Sequence, residues 1–141
     1  MINIRPLIEQ RLREQIPAFR EVAGAADLSN ILQGRINDSS CYVFEERRMA
    51  AENAMANIIR QRISQQFACV VVVRNVRDAR GGDAQDVSAE LQQSIQTALL
   101  GWEPGSTIEP LEYAGGSLVS FANGFFIWKE SYKTAQTIRS A

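Results

Sequence analysis

The sequence predicts an α+β fold: one domain over residues 1–141, with a mostly antiparallel sheet packed against two main helices. Three observations point to it. Apolar residues recur at spacings of three and four near the N-terminus and again over 83–102. From Ile58 to Val73 the pattern switches to period two. Asn123-Gly124 stands between two β-rich runs, as a tight hairpin requires. A chain of 141 residues, 45% hydrophobic, is long enough to bury a real core within one domain.

The elements follow in order. Residues 3–16 read as an amphipathic helix with Asn3 as cap, Pro6 in the first turn and Pro17 as terminator. Ile4, Leu7, Ile8, Leu12 and Ile16 make its apolar stripe, and Arg5, Glu9, Arg11, Arg13 and Glu14 its polar side. "FREVA" (19–23) reads as a short strand, "AADLSNILQG" as a short helix closed by Gly34, and "CYVFEE" (41–46) as a strand. The stretch 47–57 favours helix by its alanines, with a long loop between strands as the other reading. Beyond it Ile59, Ile63, Phe67, Cys69, Val71 and Val73 share one parity, while Arg60, Arg62, Ser64 and Gln66 share the other. That predicts a long strand, half exposed at first and buried on both faces from Ala68 to Val73, with a helix over 49–66 as the alternative.

"DAQDVSAELQQSIQTALLGW" is the clearest helix. Its stripe is Val87, Leu91, Ile95, Ala98, Leu99 and Trp102, with Asp83 or Asp86 near its start and Gly101 near its end. Three strands follow the turn "EPGST": "IEPLEYA", "GSLVSF" and "FFIWKESY". The last carries large residues on both parities, so it is either buried on both sides or covered by a partner. The final nine residues either extend that strand or trail as an arm. A sheet with helices on one face leaves edges that must be covered, and self-association is one way to do so.

Several function classes are disfavoured. Net charge is −1, so no global attraction to nucleic acid or membrane operates. The absence of histidine removes Ser-His-Asp and Cys-His catalysis and His-liganded zinc. Cys41 and Cys69 read as buried thiols in a reducing compartment. No apolar run reaches the roughly 20 residues that span a bilayer, and the charged N-terminus does not resemble a signal peptide, so a cytosolic location is expected. "FACVVVVRNVRDARGG" runs from strand to glycine pair to helix, the layout of a phosphate loop. However, Gly82 is followed by Asp83 where a Walker loop has Lys, and Asp78, Asp83 and Asp86 would repel a phosphate. The glycines read as a turn and the valines as core. The acidic pairs Glu45-Glu46 and Glu109/Glu112 converge on no common cleft, and no metal-ligand spacing occurs. Arginines flank the long strand without interleaved aromatics, which disfavours a stacking platform for single strands.

The string "RQRISQQFACVVVVRNVRDARG", then a helix, "ALLGWEP", "PLEYAGGSL" and "NGFFIWKESYKT", resembles the tail terminator (tail completion) proteins of long-tailed bacteriophages, the Mu-like group included. The resemblance covers about Ile59 to Thr134 and the first helix. It implies a non-enzymatic virion protein without cofactors. Such a protein forms a ring, typically a homohexamer, on the end of the tail tube. The ring stops further tube addition and meets the neck or head connector, while DNA passes through its channel unread. On this reading the contact residues are Arg47 and Arg48, then Arg77, Asp78, Arg80 and Asp83, and Lys129, Glu130 and Tyr132 in the final strand. Arg60 and Arg62 would face the channel. The alternatives are a head–tail connector or tube subunit, and a small nucleotide- or nucleic-acid-binding protein.

Overall fold

A computed structural model describes residues 1–24, 39–74, 82–122 and 124–140. The predicted short helix over 25–34 lies outside them. Helix α1 (Arg5–Gln15) is followed by strands β1 (Glu21–Gly24), β2 (Ser40–Ala50) and β3 (Arg60–Arg74), helix α2 (Gly82–Leu99), and strands β4 (Glu112–Ala122) and β5 (Phe125–Arg139). The five strands form one sheet in the order β1-β2-β3-β5-β4, with β1 parallel to β2 and every other pair antiparallel. The expected α+β architecture is present.

α1 starts two residues later than predicted. Ile4 occupies the cap position with no side-chain cap bond, so Asn3 does not cap it. Pro6 sits in the first turn, where a missing N–H leaves no bond broken. Ile4, Ile8, Leu12 and Ile16 are buried as expected. Glu9, assigned to the polar side, is buried as well. It is ion-paired with Arg5, and Arg13 lies 3.7 Å away. The carboxylate is tolerated there because two guanidiniums cover it.

β3 is the central strand, and it is buried continuously from Phe67 to Val73. Its odd positions Phe67, Cys69, Val71 and Val73 face the helices, with Cys41 and Val43 of β2 beside them. α1 packs over β1 and β2, and α2 over β3 and β5. Its even positions Val70 and Val72 join Tyr42 and Ile127 in a second apolar cluster on the far face. Both cysteines are fully buried and free. A hydrogen bond between their sulfurs and burial away from water push the Cys41 thiol well above its ordinary value.

Of the two readings of 47–57, the loop between strands is the one found and the helix is not: β2 continues to Ala50, and Asn53 organises the connecting loop. Its Nδ2 donates to the carbonyls of Met55 (3.1 Å) and Ile58 (3.3 Å), and its Oδ1 accepts from Arg60 N (2.9 Å). A local amide satisfying loop backbone outweighs the alanines' helical preference. "IEPLEYA" is not a separate strand. Ile108 makes a single bridge to Gln136, Pro110 has no N–H to donate, and regular pairing begins at Glu112. β4 then continues through "GSLVSF" as one strand, with irregularities at Tyr113/Gly115 and Leu118/Ser120. Gly115, at φ +121°, takes a conformation that side chains resist. In α2 the buried stripe is Ala84, Ser88, Leu91, Ile95, Ala98 and Leu99, so Val87 falls beside it and is 41% exposed.

The tight hairpin is present, with Ala122 opposite Phe125 and Gly124 at φ +79°. The C-terminal residues extend β5 to Arg139 and lengthen the sheet alongside the start of β3.

Candidate assembly surface

Beyond the helices, the end of β2, the start of β3 and the end of β5 run on as a three-stranded arm. Strand parity decides what it displays. On the far face, Arg60, Arg62, Ser64 and Gln66 of β3 lie opposite Arg139, Thr137, Ala135 and Lys133 of β5, with Arg47 and Met49 of β2 opposite Gln66 and Ser64. Five basic side chains therefore share one face, though they lie far apart in sequence.

Acids neutralise some of these and leave others. Arg62 donates through Nε and Nη2 to both oxygens of Glu109, each at 2.7 Å, and that pairing holds the Glu109 carboxyl below its ordinary range. Lys133 Nζ lies 3.5 Å from Glu112. Arg47, Arg60 and Arg139 have no acid partner among the described residues. Arg60 and Arg139 face each other in register, an arrangement that repels unless an anion joins it.

Where the arm meets the body, Glu46 sits at the irregularity between Glu45 and Arg47 in β2. Ser131 Oγ (2.6 Å), Gln66 Nε2 (2.9 Å) and Lys129 Nζ (3.1 Å) all donate to it, tying three strands together. Burial alone would raise its pKa, but these three donors outweigh that and hold it below the ordinary carboxylate value. Lys129 is thus anchored to the sheet, with its side chain still 35% exposed.

The helix face of β4 offers a different surface. Tyr113, Leu118 and Phe121 are 46, 53 and 40% exposed, because α2 covers β3 and β5 rather than this edge strand. Their cross-strand partners Tyr132, Trp128 and Phe126 belong to the core edge beneath them. Between them lies Glu130, only 4% exposed, whose Oε1 accepts from Trp128 Nε1 (2.5 Å) and Tyr113 Oη (3.2 Å). Both donors are neutral.

The sequence-predicted contact residues separate accordingly. Arg47, Arg60 and Arg62 come together on the arm's far face. Arg48 points to the helix face, where its Nε donates to Glu45 Oε2 (2.7 Å) and its Nη2 to Oε1 (2.5 Å). Asp83 is exposed in the first turn of α2. Glu130 and Tyr132 are interior in the protomer, Tyr132 completely. Burial pushes the Tyr132 phenol up, and the Glu130 charge adds to the effect. Arg77, Asp78 and Arg80 lie outside the described residues. Sequence reasoning missed Lys133, Arg139, Glu46 and the β4 strip. Only the β3–β5 register reveals the first two, and β4's period-two pattern did not say which face a helix would cover.

A family model described as phage tail terminator protein matches residues 3–141. The chain belongs to that family. It has a structural role in the bacteriophage tail. No curated protein matches the chain. No helix among the described residues is long and apolar enough to cross a membrane, and none of the acids and cysteines among them cluster in threes as a metal site would need.

Proposed function

We propose that this terminator forms a closed ring on the end of the tail tube, stops its elongation, and joins it to the neck or head connector. The ring assembles in the host cytoplasm and resides at the tail–neck junction of the virion. The observation that carries this reading is the presence of two unlike exposed surfaces on one protomer: a basic arm on one side of the sheet and an apolar strip on the other. Unlike surfaces join head to tail, and a head-to-tail ring has two different faces. One face can copy the tube's contact surface while the other cannot, which ends a polymer without any bond-making chemistry. Six subunits is the number the family resemblance suggests.

Within the ring, Arg60 and Arg62 are the proposed channel residues. Arg62 is already neutralised by Glu109, so Arg60 and its neighbour Arg139 supply most of the free positive charge toward passing DNA. Such contact reads phosphates and not sequence. Arg47, Arg48, Asp83 and Lys129 are proposed to meet the ring, tube or connector, and Arg77, Asp78 and Arg80 complete that set. Glu130 and Tyr132 support the surface from within.

The test is negative-stain imaging and sedimentation of the purified protein, alone and with growing tubes of the tail tube protein. Rings alone, and tubes capped and shortened on addition, are expected. Monomers under both conditions would refute the reading, and open-ended tubes from the protein alone would make it a tube subunit instead.

A further inference from the structure

Two edges of the sheet are open among the described residues. One is β4, paired only with β5. The other is β2 beyond Val43, since β1 pairs only with Ser40–Val43. They lie at opposite sides of the sheet and carry complementary chemistry.

The β4 strip presents Tyr113, Leu118 and Phe121, and beneath them lies the Glu130 carboxyl. That carboxylate is almost entirely removed from water, yet only neutral donors satisfy it. A buried charge without a counter-ion is costly, and a cation supplied from outside would relieve it. Gly116 lies directly over this group. A Cβ there would collide with Glu130 Oε1 and fall 2.9 Å from both Trp128 Nε1 and Tyr113 Oη, so only glycine lets the carboxyl pack this close to the β4 backbone. The flanking indole and phenol rings are surfaces on which a guanidinium stacks well.

The arm supplies the converse. Met49, Met55 and Ile59 at its end are 54, 45 and 48% exposed, and methionine adapts readily to an uneven apolar surface. Arg47 is two residues from Met49, exposed, and has no acid partner among the described residues. Among the described residues, one surface thus holds a buried carboxyl with no basic partner under aromatic rings; the other holds a guanidinium with no acid partner beside methionines.

We propose that the β4–β5 strip is the seat for the β2–β3 arm of a second copy of this chain, with the second copy's Arg47 set against Glu130. This rests on the ring reading and names its subunit contact. Because seat and arm lie on opposite edges of one protomer, each copy is filled at one side and fills its neighbour at the other. The contact is heterologous and repeats until the circle closes.

The experiment uses Leu118→Asp on the seat and Met55→Asp on the arm, both at exposed positions, with Phe121→Ser and Met49→Ser as milder alternatives should either aspartate disturb the fold. Circular dichroism melts verify folding, and sedimentation reads the assembly state. Each variant alone is expected to be monomeric. An equimolar mixture is expected to form a dimer and nothing larger, since one intact seat and one intact arm remain. Arg47→Ala is expected to weaken assembly about tenfold. Wild-type rings persisting in both variants, or a mixture that stays monomeric, would overturn this contact and leave the ring reading standing. A Leu118→Asp ring that no longer holds the tube would overturn it too, assigning the strip to the tube. Wild-type protein that is monomeric at every concentration would overturn both.

Discussion

Replacing Glu46 by glutamine should lower stability by a definite amount that disappears in acid. The carboxylate accepts from Ser131, Gln66 and Lys129, so three strands lose a shared charged acceptor. A hydrogen bond to a charged group is worth about 1.5–3 kcal/mol when well buried. Glu46 keeps 14% exposure and glutamine retains one acceptor oxygen, so about 2 kcal/mol is expected for the substitution at pH 7. For a chain of this size that corresponds to about 6–10 °C in melting temperature. The sign with pH follows from the depressed native pKa. As pH falls through 4.5, the ordinary value, the unfolded chain takes up the proton first, so stability present above that pH is lost as the native value is approached. The gap between wild type and Glu46→Gln should therefore narrow steadily from pH 6 to pH 3. Denaturant unfolding followed by tryptophan fluorescence measures it, at one protein concentration so that association contributes equally. A gap absent at pH 7, or undiminished at pH 3, would show that the Glu46 cluster does not hold the arm to the body.

Three further outcomes are expected. Ile95→Ala, on the fully buried face of α2, should cost about 2–5 kcal/mol, whereas Val87→Ala beside the stripe should stay within about 0.5 kcal/mol; denaturant midpoints compare them. Gly116→Ala should destabilise by about 1–3 kcal/mol, because its methyl group meets Glu130, Trp128 and Tyr113; a melting curve equal to wild type would mean that this part of β4 yields freely. Cys41 and Cys69 should react with a thiol reagent only at the rate of opening, so labelling should speed up with denaturant in step with loss of structure, and prompt labelling in buffer would contradict their burial.

The local pattern of the chain was enough for the elements that carry their own periodicity. β3 declared itself through alternating arginines and apolar residues followed by an unbroken valine run. α2 did so through its stripe, to within one position. The β4–β5 hairpin did so through Asn123-Gly124. Where two local tendencies competed, the reading stayed open: the alanines of 47–57 suggested helix and their place between strands a loop, and the Asn53 amide builds the loop. Glu9 looked solvated because nothing in its own segment says that Arg5 and Arg13 will fold over it.

The candidate surface was half legible. Arg47, Arg60 and Arg62 could be named because charge beside a strand is visible in one dimension. Their companions Lys133 and Arg139 could not, since which residue faces which depends on how β5 registers on β3. Glu130 and Tyr132 lie on the helix-facing side of β5 and are buried within the protomer, which the alternation of the strand alone does not reveal.

The order of apolar and polar residues alone determined that this protein is an α+β molecule with a doubly buried central strand, because periods of 3.6 and 2.0 are properties of a single segment. Tertiary structure decided the rest: that cations distant in the chain gather on one arm, that a carboxylate is left under aromatic rings, and that β4 stays uncovered. Those features depend on strand order and on where the helices stop, and no single segment encodes either.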